Sequence, residues 1–472
     1  MRLLTLLGAA IEALPVILQA TIAAGNEDRK LKNVFSECHP GGIEGVVITK
    51  HNTLNGTHLH HSSKDPASSK SGSTYTNAIG INTAVTHSNL TTRGMAAVRT
   101  LPIKLVNNLN GSVKAYIAGK DEAGRVLFLR EDGSTVYPDA GKSRVPVPIN
   151  GNIGIPLDQG ELTVNLPFPL GSGRVYFAAG GDLKFFVVST TEGNGIVQPS
   201  ITNLQDPSAN ITWGFVELTY TKNCVIWANL SFVDFVGLPF GMAVRTLSGT
   251  THTVKGLPKD AIRSICADFE AQGNQDRQPW AQTCIVDGNR NPVRVLSPNM
   301  FRFIDDGAFR TYWTQYVDQV WSTYSRKPMR IDTQSAFGVV NCQVRGSELQ
   351  CGGDNRGYVK PSAEDIWTCD GGPFHIRNGD NAVHYAVVPR LCAAFVRTTL
   401  LLAGGDKQPG LVDQYYKNNP TSYYSRVIYM REIDGKGYAF PYDDVSLSGS
   451  GDAAGFVAAN DAKSLTFFVG GI

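Results

Sequence analysis

Two carboxylates stand where the chain otherwise places apolar side chains. Glu217 lies in "WGFVELTY" and Asp234 in "ANLSFVDFVGLPFG". Both runs read as strands, and a charge within such a run either faces water or is set into a site, because burying it unpaired is costly. Two carboxyls flanking one glycosidic bond can cleave it by direct displacement. One protonates the leaving oxygen, and the other takes a proton from a water that attacks the opposite face, which requires a separation of about 6.5–9.5 Å. The donor must hold its proton and the base must stay ionised. The plain alternatives are a solvent-facing glutamate at 217 and an aspartate at 234 that caps the turn toward Gly237-Leu238-Pro239.

The two runs are neighbours in sequence and are expected to pair as a hairpin through a turn near Lys222-Asn223, bringing both acids to the same end of the sheet. Alternation puts Thr219 on the face of Glu217, and Trp227, Asn229 and Ser231 on one face of the second strand. Asp234 has the opposite parity, so it joins that face only if the strand bulges or bends near Phe232. An indole ring with hydroxyls beside it suits a pyranose, which offers apolar faces and a polar rim. Asn229-Leu230-Ser231 is also a glycosylation sequon. A glycan there would obstruct the site, so Asn229 is expected to be unmodified.

The surrounding sequence says what kind of molecule carries this pair. The chain has 472 residues, with 43 Lys plus Arg against 41 Asp plus Glu, a formal charge of +2. That near-balance gives no electrostatic reason to expect nucleic acid or an anionic membrane as a partner, and suits a neutral one. Residues 1–24 read as a signal peptide, with Arg2 ahead of an apolar run and small residues at Ala23, Ala24 and Gly25, so the chain is expected to be secreted. Residues 25–96, rich in Ser, Thr, His and Asn, read as a low-complexity linker. From residue 97 to 250, eight short strand-like runs separated by turn signals point to a β-sandwich or barrel. Residues 251–419 mix helical spacing, as in "PKDAIRSICADFEAQ", "GAFRTYWTQYVDQVWSTYSR" and "AVHYAVVPRLCAAFVRTTLL", with strands near 336–343 and 349–352. Residues 420–472 return to β character in "SRVIYMRE", "GYAFPYDDV" and "SLTFFVGG", and are expected to complete the first lobe. The eight cysteines suggest disulfides, with Cys342 and Cys351 able to close a hairpin around Gly346. No CxxC pair favours zinc, and no phosphate-binding or nucleophile-elbow motif occurs, so neither metal nor cofactor is expected. Asp370, Asp443 and Asp444 are read as structural.

The segment "FVELTY…WANLSFVDFVGLPFGM" resembles the signature of glycoside hydrolase family 64, the laminaripentaose-producing β-1,3-glucanases. "SGRVYFAAGGDLKFFV", "YVDQVWSTY", "WTCDGGPF", "CAAFVRTTLL", "YYSRVIYMREIDGKGYAFPYDDV" and "SLTFFVGG" extend the likeness over roughly residues 98–472. The resemblance implies a mostly β, α+β protein: a thaumatin-like lobe, a mixed α/β lobe, and a wide groove between them for a β-1,3-glucan chain. It implies inversion, with Glu217 as general acid, Asp234 as general base, and Thr219, Trp227 and Ser231 against the glucan. Short laminari-oligosaccharides such as the pentaose are the expected products, and a monomer the expected state. The alternative is a non-catalytic thaumatin-like protein that binds β-glucan or acts in cell-wall defence.

Overall fold

The computed structural model describes residues 100–447 and 454–472. The expected signal, the whole of the expected linker, Cys38 and the sequons at Asn55 and Asn89 lie outside the described residues. The chain is mostly β with few helices. All eight strand-like runs between 97 and 250 form strands.

Two sheets carry the β architecture. The larger runs, edge to edge, through strands Phe456–Ala459, Ile226–Leu230, Thr212–Tyr220, Leu170–Ala179, Val113–Lys120, Val126–Leu129 and Thr135–Val136, with Ile155–Leu157 also paired to Val113–Lys120. The five-stranded sheet runs Thr251–Val254, Phe240–Thr246, Ala462–Val469, Leu101–Asn107 and Gly160–Leu166. Alternation decides which side chains face inward. In Leu101–Asn107, Leu101, Ile103 and Leu105 are buried while Pro102, Lys104 and Val106 are half-exposed. The two sheets share one continuous apolar core. Phe177 of one sheet meets Phe240 of the other at 5.5 Å between ring centroids. Gly214 is required here, since a Cβ on it would come within 2.8 Å of the Phe240 ring.

The end of the chain returns to the β sheets. Strand Ala462–Val469 lies between Leu101–Asn107, which it pairs in parallel, and Phe240–Thr246, which it pairs antiparallel. Strand Phe456–Ala459 closes the large sheet against Ile226–Leu230.

Helices Ala261–Asp276, Thr314–Arg326 and Ala382–Val396 form where the three- and four-residue spacing predicts them. Asn381 caps the last of these by accepting from the His384 amide, and Pro389 lies inside it. The Cys342–Cys351 disulfide joins strands Val339–Arg345 and Glu348–Cys351, and Cys266–Cys284 and Cys369–Cys392 are also bridged. Among the described residues no helix is long and apolar enough to cross a membrane.

Two strand expectations near the C-terminus fail. "SRVIYMRE" lies in the helix Tyr423–Arg431. Tyr424, Val427 and Ile428 form a buried helical stripe, and Ser422 caps the start by accepting from the Ser425 amide. The Val-Ile-Tyr run imitates a strand locally, but tertiary burial on one helical face overrides that preference. "GYAFPYDDV" forms turns, with one isolated bridge from Tyr438 to Ser231.

Candidate active site

The register of the large sheet fixes which side chains share a face. Glu217 stands opposite Arg174 on one side and Asn229 on the other, and Asn229 stands opposite Phe456. One row along, Thr219 faces Trp227, which faces Ala458. Residues directly opposite in paired strands project to the same side. Val216, Leu218 and Tyr220 point into the core, whereas Glu217 and Thr219 are half-buried. The same alternation leaves Trp227, Asn229, Phe456 and Ala458 half-exposed.

Glu217 is tied down on this face. Arg174 donates to its Oε1 from Nε at 3.3 Å and from Nη2 at 3.1 Å. Asn229 Nδ2 donates to Oε2 at 3.3 Å. The Arg174 side chain is 4% exposed and that of Glu217 23%. Behind the pair, Arg174 Nη1 donates to Gln198 Oε1 at 3.0 Å, and the Tyr176 hydroxyl donates to the same oxygen at 2.6 Å. The guanidinium also lies over the Phe215 ring, 4.7 Å from its centroid. The sequon asparagine is therefore a partner of the candidate acid.

Asp234 is placed differently. Extending the register from Val216↔Leu230 by four residues on each strand would put Asp234 opposite Thr212, five residues from Glu217. On a straight ladder that is about 17 Å along the sheet, too far for a shared reaction. Pairing alone thus does not bring the acids together, because the antiparallel register carries Asp234 to the far start of its neighbour, at Thr212. The strand does not stay straight. It ends at Leu230, Ser231 makes the bridge to Tyr438, and the chain bends at Val233 and Asp234.

Three contacts pin this bend. The Tyr424 hydroxyl donates to the Phe232 carbonyl at 2.6 Å, and the Ser297 amide donates to the Asp234 carbonyl at 2.9 Å. Gly237 lies so close to the Trp213 carbonyl that a Cβ could not fit, so the segment after Asp234 folds directly against the start of the Glu217 strand. Asp234 is half-buried, and together with burial its charge pushes the Tyr424 phenol well above the usual tyrosine range.

Arg174, Gln198 and Phe456 were not singled out in the sequence. "SGRVYF" and "GFVAAN" are visible there, but which residue stands opposite Glu217 is a matter of register between distant strands. The other acidic motifs are structural where contacts exist. Asp443 is buried, accepts from Arg397 Nη2 at 2.8 Å, and accepts from the Ala439 amide at 2.9 Å. Asp370 follows Cys369, which is bridged to Cys392.

The sheet thus carries a half-exposed carboxylate held by two donors, with Thr219 and Trp227 in the next row, and Asp234 lies on a pinned bend beyond the end of the adjoining strand. A model of the β-1,3-glucanase family, glycoside hydrolase family 64, matches residues 99–469. Glucan endo-1,3-β-glucosidases from Cellulosimicrobium cellulans and from Arthrobacter sp. (strain YCWD3) are each 27% identical over 373 residues. Those alignments cover 74% of this chain, which spans 62% of the length of each relative. Among solved structures, a laminaripentaose-producing β-1,3-glucanase in complex with laminaritetraose superposes with a TM-score of 0.67 at 25% identity, covering 78% of this chain and 98% of that one. A β-1,3-glucanase domain from Clostridium beijerinckii superposes at 0.61 with 20% identity, over 80% and 100% of the two chains, a likeness of fold. With the family model matched from the first described strand to the last, the chain belongs to the β-1,3-glucanases, glycoside hydrolase family 64.

Proposed function

We propose that this protein is a secreted, endo-acting β-1,3-glucan hydrolase that inverts the anomeric centre. Glu217 donates a proton to the glycosidic oxygen as the bond to the anomeric carbon breaks. Asp234 removes a proton from the water that forms the new bond on the opposite face. The enzyme is left with an ionised Glu217 and a protonated Asp234, and exchange with solvent resets both. Thr219 and Ser231 offer hydroxyls to the sugar, and Trp227 offers a ring face. Phe456 extends that apolar surface toward the sheet edge, in the row of Glu217 and Asn229.

The observation that carries this reading is Glu217 itself. It is a half-exposed carboxylate on a strand of buried neighbours, oriented by Arg174 and Asn229, and flanked on its own face by Thr219 and Trp227. The relatives named for β-1,3-glucan hydrolysis supply the substrate class. A thaumatin-like β lobe over 97–250, completed by 420–472, would form one wall of a glucan-binding groove, and a mixed α/β lobe over 251–419 the other. Release of short laminari-oligosaccharides such as the pentaose fits a groove that holds several sugars.

Laminarin digestion tests the reading. Glu217→Gln should lose about 10²–10⁴-fold in kcat, the usual share of a general acid, while glucan binding persists. A Glu217→Gln protein that hydrolyses at the wild-type rate would remove Glu217 from the acid role, and a wild-type protein that binds glucan without hydrolysing it would leave the non-catalytic reading.

A further inference from the structure

We propose that Tyr424 is a positioning residue for Asp234: its phenol holds the bend that carries the proposed general base. The inference rests on the base role given above to Asp234 and adds a residue from a distant helix that fixes its place. Asp234 is the second residue past Phe232, and the main chain is held on both sides of it. The Phe232 amide donates to the Tyr438 carbonyl at 2.7 Å, and the Ser297 amide donates to the Asp234 carbonyl at 2.9 Å. Beyond Asp234, Phe235 and Val236 pair with Leu296 and Val295. These are contacts between backbone groups, which do not depend on which side chains the residues carry. The Phe232 carbonyl is different. It accepts from the Tyr424 hydroxyl at 2.6 Å, so one side-chain atom holds the peptide at which the chain turns.

The phenol is itself held in place. Tyr424 is buried, and its ring lies 6.2 Å from that of Phe269. Its helix, Tyr423–Arg431, is tied at both ends. Ser422 caps the start, and Arg431 donates from Nε and Nη2 to the two oxygens of Asp268 at 2.8 and 2.7 Å. Burial, and then the Asp234 charge, keep the phenol protonated, so it stays a donor while Asp234 is ionised. Phenylalanine at 424 would keep the ring and remove one oxygen, leaving the carbonyl of buried Phe232 without that donor. Displacing a catalytic group by about 1 Å costs on the order of 10²-fold.

The test compares wild type, Tyr424→Phe, Tyr324→Phe and Asp234→Ala on laminarin and on a 2,4-dinitrophenyl β-laminari-oligosaccharide, with and without azide, as rates per folded molecule. Tyr324 is the matched control. It too is buried, and its phenol donates to main-chain carbonyls, those of Leu400 and Gly405, which are not in the bend. Azide is already an anion. It attacks the anomeric carbon as dinitrophenolate leaves, so no proton has to be removed and a misplaced base is bypassed. Tyr424→Phe should lose about 10- to 100-fold in kcat on both substrates, with KM within about twofold. Azide should recover most of that loss on the dinitrophenyl substrate and give the α-glycosyl azide. Tyr324→Phe should keep the wild-type kcat and gain nothing from azide. A Tyr424→Phe protein with wild-type kcat overturns the proposal, and so does a loss that azide leaves untouched, since that marks general distortion. The same azide-relieved loss in Tyr324→Phe also overturns it, because the effect would then belong to no particular phenol. Asp234→Ala reports separately: if it keeps laminarin activity, the base assignment fails whatever Tyr424→Phe does.

Discussion

The protein contains two clusters built from the same ingredients, and they differ in where their polar atoms point. On the large sheet, half-exposed Glu217 and Asn229 are backed by buried Arg174 and Gln198. At helix Ala382–Val396, Arg356, Asp380, His384, Asp354 and Tyr358 form a closed cluster. His384 Nδ1 lies 2.9 Å from Asp354 Oδ1, and its Nε2 lies 2.6 Å from Arg356 Nη2. Arg356 donates to both oxygens of Asp380 at 3.0 Å, and Tyr358 donates to Asp354 Oδ2 at 2.5 Å. Since the guanidinium only donates, Nε2 accepts and the ring hydrogen sits on Nδ1, toward Asp354. The His384 and Asp354 side chains are 0% exposed, against 23% for Glu217. A carboxylate fully enclosed among interior partners is structural, and one left partly exposed in the row beside a threonine and an indole can do chemistry.

The largest effect should come from the second carboxylate proposed to work with Glu217. Asp234→Asn should lower kcat on laminarin by about 10²–10⁴-fold with an unchanged thermal transition. Equal losses of activity and stability would reassign Asp234 to the turn that Ser297 and Tyr424 pin. The closed cluster should respond in the opposite sense. Asp354→Asn or His384→Ala should destabilise the fold by about 3–5 kcal/mol, because each leaves a buried partner unpaired. Denaturant unfolding measures this, and kcat of the folded fraction should stay within about twofold. A large kcat loss at full stability would erase the distinction between the clusters.

Smaller effects should sharpen the picture of the Glu217 face. Trp227→Ala should raise KM for laminarin about fivefold to tenfold, with stacking worth ~1 kcal/mol or somewhat more. Phe456→Ala should raise it less, because that strand forms the sheet edge. Steady-state kinetics on laminarin checks both, and a Phe456→Ala effect exceeding that of Trp227→Ala would move the glucan path outward.

The smallest effect concerns stability against pH at Glu432. Neither oxygen of this buried carboxyl has a hydrogen-bond partner among the described residues, and it lies hard against Gly437, next to the Tyr438 bridge to Ser231. Burial, with Asp443 and Asp434 nearby, pushes the carboxyl well above the usual glutamate range. The folded protein then keeps a proton that the unfolded chain releases. Its contribution is complete below the usual glutamate range and is lost as pH rises toward the folded value. Glu432→Gln should match wild type in thermal stability near pH 4 and exceed it increasingly toward neutrality. A constant difference across that range would show that Glu432 does not titrate with folding.

Local pattern made much of this legible. Alternation found the strands, and it placed Glu217 with Thr219, and Trp227 with Asn229. Parity also showed that Asp234 could not lie on that face without a break, and the strand does break after Leu230. Non-local register stayed hidden. Nothing near Arg174 in the sequence says that it stands opposite Glu217, and nothing near Phe456 says that it continues the row of Asn229. The Tyr423–Arg431 helix was hidden for a related reason, since its apolar stripe matters only against a core supplied by distant elements.

The anomer first released from linear β-1,3-glucan tests the central claim most directly. Proton NMR of wild-type digestion should show the α-anomer of the new reducing end accumulating before mutarotation, as single displacement between Glu217 and Asp234 requires. Initial release of the β-anomer would mean a covalent intermediate and retention, and would contradict the roles given to both carboxylates.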